Sequence, residues 1–262
     1  MYEQRSTAMT DNQRLACFEL WGGNGSADYP VELPGLAGWV YSTPLEPGLG
    51  GGDVHYLSVC SKGKVSRIAV ADVAGHGSHA SSMAENLRKV LQRHTDNWDQ
   101  TALMRELNDA FSRESTHSQF ATAAVLGFYV ETGELLFSNA GHPPTLWYRA
   151  RNRSWEVLQD CTPHAVEIGG LPLGLIPGTA YCQTGVRLES CDMLVLYTDG
   201  ITEARDPSGA ELGQEGLLEI VRGITPGTPV DTCRDLLSAV KTYRSGEPRR
   251  DDETLLVLQY VP

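Results

Sequence analysis

Apolar positions along this chain follow two periods, and the two alternate in blocks. Ile68 to Ala71 is a short apolar strand that stops on Asp72, after which Gly75 and Gly77 free the backbone to turn. A helix follows, with Ala80, Met83, Ala84, Leu87 and Leu91 on one face. A second helix is predicted from about Gln100 to Arg113, with Leu103, Leu107, Ala110 and Phe111 on its apolar face. Two helices in succession suggest an antiparallel pair.

Strand patterns surround that pair. Cys17 to Trp21 and Gly38 to Ser42 read as early strands, and the loop carrying Pro44, Pro47 and Gly48 to Gly52 ends at Asp53. His55 to Cys60 pairs with Arg67 to Ala71 across the turn Ser61-Lys62-Gly63-Lys64, which brings Asp53 near Asp72. Ala121 to Val130 and Leu135 to Asn139 flank Glu131-Thr132-Gly133-Glu134 and read as a hairpin. Asn139 to Pro144 breaks the sheet, and Thr145 to Arg149 with Trp155 to Leu158 resumes it. The Gly/Pro-rich stretch from Gln159 to Thr179 has no period, which in a compact domain marks a functional or mobile loop more often than an idle one.

Asp192 to Thr198 is a second apolar strand that ends on an acid, Asp199, followed by Gly200. A helix is predicted from about Gln214 to Arg222. The start of the next is signalled by Thr228 as N-cap, Pro229 at the first helical position and Asp231 completing a capping box. Its buried face is expected to be Val230, Cys233, Leu237 and Val240. The last strand, Leu255 to Tyr260, is preceded by Asp251 and Asp252. Strands outnumber helices, and the helices come in pairs between strand runs, so the fold class is α+β in layers.

The 262 residues suffice for a large core, and we expect one domain over 31–262 behind a partly flexible N-terminal extension, 1–30. A net charge of -12 argues against nucleic acid and acidic membrane as partners. The six cysteines lack zinc spacing and read mostly as buried reduced thiols. No apolar run reaches the roughly 20 residues of a membrane span, and the polar start lacks the apolar core of a signal peptide, so the expected location is the cytoplasm.

Asp53, Asp72, Asp199 and the Asp251-Asp252 pair share one context, a strand end beside small or turn-forming residues. Singly, each acid could do no more than cap a turn. Together, carboxylates about 4 Å apart would repel by up to about 4 kcal/mol at an effective dielectric of 20, so they must bind protons or cations. Oxygen ligands without Cys or clustered His favour Mg²⁺ or Mn²⁺.

These residues lie in motifs that resemble a family. GGD at Gly51 to Asp53, ADVAGHG at Ala71 to Gly77, FATAAV at Phe120 to Val125, NAGHPP at Asn139 to Pro144, LPLG at Leu171 to Gly174, YTDGITEA at Tyr197 to Ala204 and DDETLLVL at Asp251 to Leu258 are similar to the metal-dependent (PPM-type) serine/threonine phosphatases. The bacterial SpoIIE/RsbU-like branch is the nearest in pattern. The motifs keep the family order across roughly residues 35 to 260.

The resemblance implies an α-β-β-α sandwich of two antiparallel sheets flanked by helix pairs, with two Mn²⁺ or Mg²⁺ ions, or three, at one end. Asp72 would bridge the metals and Val73 would offer its carbonyl oxygen. Asp199 and Asp251 would hold one ion, Asp252 would lie behind them or replace Asp251, and Asp53 would serve the other ion. A metal-activated hydroxide would cleave phosphoserine or phosphothreonine on a protein, such as an anti-sigma-factor antagonist, without a phosphoenzyme. The chain departs from the pattern in three places. Ala74 stands where other branches carry a histidine, leaving His76 and His142 as candidate acids; Val54-His55-Tyr56-Leu57 lacks the acid that often follows GGD; and no arginine matches the family's phosphate-binding one. A homodimer or regulatory partner is expected on the paired helices, 78–113. A binding module without turnover, or a phosphohydrolase acting on small molecules, would carry the same motifs.

Overall fold

The structure, a computed structural model, describes residues 18–23, 25–46, 51–60, 63–75, 78–95, 97–114, 120–158 and 170–262. In chain order the elements begin with β1 (Phe18–Gly23), β2 (Ala27–Leu33), β3 (Leu36–Thr43), β4 (Asp53–Cys60) and β5 (Val65–Val73). The helices α1 (Ser78–Arg93) and α2 (Gln100–Glu114) follow, then β6 (Ala121–Tyr129), β7 (Glu134–Ala140), β8 (Leu146–Arg149), β9 (Ser154–Val157), β10 (Thr184–Arg187) and β11 (Met193–Tyr197). The chain ends with α3 (Asp199–Thr202), α4 (Gly213–Gly223), α5 (Pro229–Arg244) and β12 (Glu253–Tyr260).

The strands form two six-stranded sheets, ordered β1-β4-β5-β6-β7-β10 and β2-β3-β12-β11-β8-β9, with every pairing antiparallel. Alternation along the strands decides what each face covers. In the first sheet Leu57, Val59, Ile68 and Val70 face the second sheet, where they meet Val40, Leu194, Leu196, Leu256 and Leu258. The other face, with Val54, Tyr56, Ala69 and Ala71, packs under α1 and α2 through Met83, Leu87, Leu91, Leu103 and Phe111. Across the second sheet, Val195, Tyr197, Leu255 and Val257 pack against Leu217, Val221, Cys233, Leu236 and Val240 of α4 and α5. The result is the expected four-layer α-β-β-α sandwich.

Several local expectations change in detail. The sheets begin before residue 31, because β1 and β2 are their outer strands. Pro30 hid β2 from a sequence reading, and an outer strand is where proline is tolerated, since it has no N–H to give. The capping box of α5 is formed as expected, with Thr228 and Asp231 bonding reciprocally. Its buried face is turned slightly, so that Leu236 is fully buried while Leu237 and Val230 are only partly covered. Cys60, Cys191 and Cys233 form no disulfide and only Cys233 of these is buried, whereas Cys182 is disulfide-bonded.

Charged side chains are also buried elsewhere in the fold. Arg67 in β5 is fully buried and donates to the Gln100 side chain and to the carbonyls of Asn97 and, at 3.2 Å, His94. It thereby fastens the turn between α1 and α2 to the first sheet; burial pulls its guanidinium down to about 10. Arg244 of α5 pairs with buried Glu253 at 2.7 Å. Among the described residues no helix is long and apolar enough to cross a membrane.

Candidate metal centre

The antiparallel register sets Asp53, the first residue of β4, opposite Asp72 near the end of β5, as the sequence led us to expect. Cross-strand partners share a face, and this face looks into the sandwich. From the second sheet, β11 delivers Asp199 and the start of β12 delivers Asp251 and Asp252 to the same end. The two turns back onto one another so closely that a Cβ on Gly200 would lie 1.9 Å from the Asp252 carbonyl oxygen. Glycine is the residue this contact requires.

A cavity of about 410 Å³ opens here, lined by Leu45, Glu46, Gly51, Gly52, Asp72, Val73, Ala74, Gly75, Asp251 and Asp252. Gly52 leaves the floor open: a Cβ there would stand 2.5 Å from the Val73 carbonyl oxygen and 2.7 Å from Asp72 Oδ1. Asp53 and Asp199 are not on the cavity wall. Asp53 is 4% exposed and takes a hydrogen bond from Thr198 Oγ1 at 2.7 Å.

The electrostatics follow from crowding. Burial, and then the charges of Asp199, Asp251, Asp252 and Glu203, push the Asp72 carboxyl up to about 7. Burial first and Asp72 second hold Asp53 well above the usual carboxylate range, against hydrogen bonds from Thr198 and Thr254. Asp199 is raised by burial and then by Asp251, and the exposed Glu203 by partial desolvation and then by Asp199. Among the described residues no lysine or arginine makes an ion pair with Asp53, Asp72, Asp199, Asp251 or Asp252.

Asp251 and Asp252 separate cleanly. Both carboxylate oxygens of Asp252 are occupied at 2.7 Å, Oδ1 by the Leu45 N–H and Oδ2 by the Gly52 N–H. Asp251 is exposed, and its one described bond is from the Asp252 N–H to Oδ1 at 2.8 Å. Asp252 therefore clasps the two ends of the loop before β4, and Asp251 keeps free lone pairs. His142 is buried beside Thr122 Oγ1 at 2.8 Å and is pushed by burial down to about 3, so it stays neutral and away from the cavity. His76 lies outside the described residues.

The donor set is chemically suited to hard divalent cations: carboxylates and one backbone carbonyl, with no lysine or arginine paired to them among the described residues. Among the described residues, however, no three His, Cys, Asp or Glu side chains are gathered around one point. The acids are near enough to oppose one another's ionisation, and an ion would have to draw them together. Sequence reasoning missed Thr198, Thr254 and Ser42, buried hydroxyls on the facing sides of the sheets behind Asp53; nothing but their strand parity could have marked them.

Two antiparallel sheets between helix pairs, with acids at one end, define the sandwich of PP2C-type phosphatase domains, the PPM class. Residues 62–261 match the family described as Stage II sporulation protein E (SpoIIE), and the chain belongs to that family. It is 25% identical over 210 residues to phosphoserine phosphatase RsbU of Bacillus subtilis (strain 168), covering 78% of this chain and 58% of RsbU. The chain spans about half the length of the curated relatives it matches. Among solved structures it is similar to the RsbU and RsbW domains of Rv1364c from Mycobacterium tuberculosis, with a TM-score of 0.72 and 24% identity, covering 91% of this chain and 64% of that one. It is also similar to RsbX in complex with magnesium, with a TM-score of 0.64 and 17% identity, covering 89% of this chain and 100% of that one.

Proposed function

We propose that this chain is a metal-dependent protein phosphatase that hydrolyses phosphoserine or phosphothreonine on a bacterial signalling protein, such as an anti-sigma-factor antagonist. The observation that carries the reading is the crowding of Asp72 by Asp199 and Asp251 beside one open cavity that Asp72 and Asp251 line, with no lysine or arginine paired to them among the described residues. Membership of the SpoIIE family and likeness to a named phosphoserine phosphatase support the reaction class. Likeness to a magnesium complex supports the metal.

Asp72 and the Val73 carbonyl would hold two ions, Mn²⁺ or Mg²⁺, with Asp199 and Asp251 completing one side and Asp53 backing the other. Ions bound there lower the pKa of water toward neutrality and offset charge on phosphoryl oxygens. The protein's own residues do the rest. Gly52 leaves space for a phosphoryl group beside Asp72, and Asp252 fixes the loop that forms the cavity wall. No side chain is required as a covalent nucleophile. The outer face of α1 and α2, residues 78–113, is the proposed place for a second copy or a regulatory partner, because α1 follows directly on the turn after Asp72.

The test is hydrolysis of a phosphoserine peptide, a generic phosphomonoester, nucleotides and phosphodiesters with Mn²⁺, Mg²⁺ or EDTA. We expect peptide hydrolysis that needs metal and is lost in Asp72→Ala. Metal-dependent cleavage of nucleotides or diesters in preference to the peptide would replace the substrate class, and a folded chain that binds metal without turnover would be a binding module.

A further inference from the structure

Behind the cavity, on the faces the two sheets turn toward each other, hydrogen bonds link four buried polar residues, one link running through the Thr254 main chain. Ser42 Oγ and Thr254 Oγ1 are 2.9 Å apart, the Thr254 N–H donates to Thr198 Oγ1 at 2.9 Å, and Thr198 Oγ1 donates to Asp53 Oδ2 at 2.7 Å. All four residues are 0–4% exposed. Ser42, Thr254 and Thr198 belong to β3, β12 and the end of β11 in one sheet, while Asp53 opens β4 in the other.

We infer that Thr198 is a positioning residue for the metal centre, acting through Asp53. A hydroxyl has one proton to give and two lone pairs to fill. The Thr254 N–H fills one lone pair, so the Thr198 proton is left to point at Asp53. The Thr198 N–H in turn donates to the Thr254 carbonyl at 3.1 Å, which holds the residue from both sides. Because Thr198 is covalently next to Asp199, this one hydroxyl couples the acid of the first sheet to the acid of the second. It also supplies Asp53 with a donor in a place closed to water, which fixes the direction in which the carboxylate faces.

The inference rests on the metal reading above, and the experiment separates the two. Mn²⁺ binding is measured by titration calorimetry, and the thermal midpoint is measured in EDTA and in saturating Mn²⁺, for the native chain, Thr198→Val and Thr198→Ser. Second partners of metal ligands are typically worth 10- to 100-fold in affinity. We expect Thr198→Val to weaken Mn²⁺ binding by at least about 10-fold and to shrink the Mn²⁺-induced rise in midpoint, with Thr198→Ser restoring both. Equal Mn²⁺ affinity in Thr198→Val and the native chain overturns the inference, as does a midpoint that falls equally with and without Mn²⁺ at unchanged affinity. Should Thr198→Val not fold, Thr198→Cys keeps the volume with a far weaker donor and reads the same affinity. Absence of saturable Mn²⁺ binding by the native chain refutes the metal reading itself.

Discussion

Strand β11 has an aspartate at each end, and the two ends treat them in opposite ways. Asp192, just before the strand, is 1% exposed and accepts three hydrogen bonds, from Trp147 Nε1 at 3.2 Å, Ala150 N at 2.8 Å and Glu189 N at 3.0 Å. Asp199, just after it, is raised by burial and then by the charge of Asp251, against backbone hydrogen bonds at the start of α3, and its own charge raises Asp72. One carboxylate is provided with donors and closes a turn. The other is crowded by neighbouring carboxylates, two of which line the cavity beside it. Burial alone does not distinguish a structural acid from a functional one; what surrounds the oxygens does.

Exchanging each acid for alanine sharpens the contrast. Asp199→Ala should lower metal-dependent phosphatase activity by about 10³-fold, since several kcal/mol of charge stabilisation depends on the ions it would hold, while the midpoint in EDTA holds steady or rises. Asp192→Ala should do the reverse. It leaves the buried Trp147 Nε1–H and two part-buried backbone N–H groups without their acceptor, at about 1–3 kcal/mol of stability, with the rate of the folded fraction at low temperature unchanged. Activity assays paired with thermal melts decide it. A loss of rate without a loss of stability in Asp192→Ala breaks the comparison.

The pH dependence of the metal-free chain tests the same conflict. The folded pKa of Asp72, about 7, lies above its ordinary value of 3.8, so between those pH values the folded state binds more protons than the unfolded state. Stability in EDTA should therefore fall as pH rises from about 4 to 7 and level off above, with Asp72 contributing up to a few kcal/mol of the change. Asp72→Asn should flatten the curve relative to the native chain across that window. An identical slope in both would show that Asp72 ionises freely. The smallest effect belongs to Thr228, whose side chain bonds Asp231 and neither of those acids: Thr228→Ala removes the α5 cap at about 1 kcal/mol, roughly 2–4 °C in midpoint, with Mn²⁺ binding unaltered.

The layered fold was legible because local pattern and tertiary role agree over most of the chain. Period-two apolar runs became strands, the 3.6-period stripes of α1 and α2 became buried faces, and Thr228-Pro229-Asp231 became a cap as the local chemistry requires. Strand β2 escaped because Pro30 is excluded only from inner strands, and being an outer strand is a property of the sheet. Arg67 escaped for a similar reason: one arginine among strand residues carries no sign that helix-turn carbonyls will cover it.

At the site the division is sharper. The sequence by itself determined the kinds of chemistry available, namely which acids end which strands and which glycines accompany them, because propensity and periodicity act over a few residues. Only the tertiary structure decided how those acids differ. Asp252 spends both oxygens on the Leu45 and Gly52 N–H groups, Asp251 takes only the Asp252 N–H among the described residues, and Asp53 is held by a hydroxyl some 145 residues away in the chain. Hydrogen bonds and repulsion depend on distance through space, and pairing of the two sheets sets those distances.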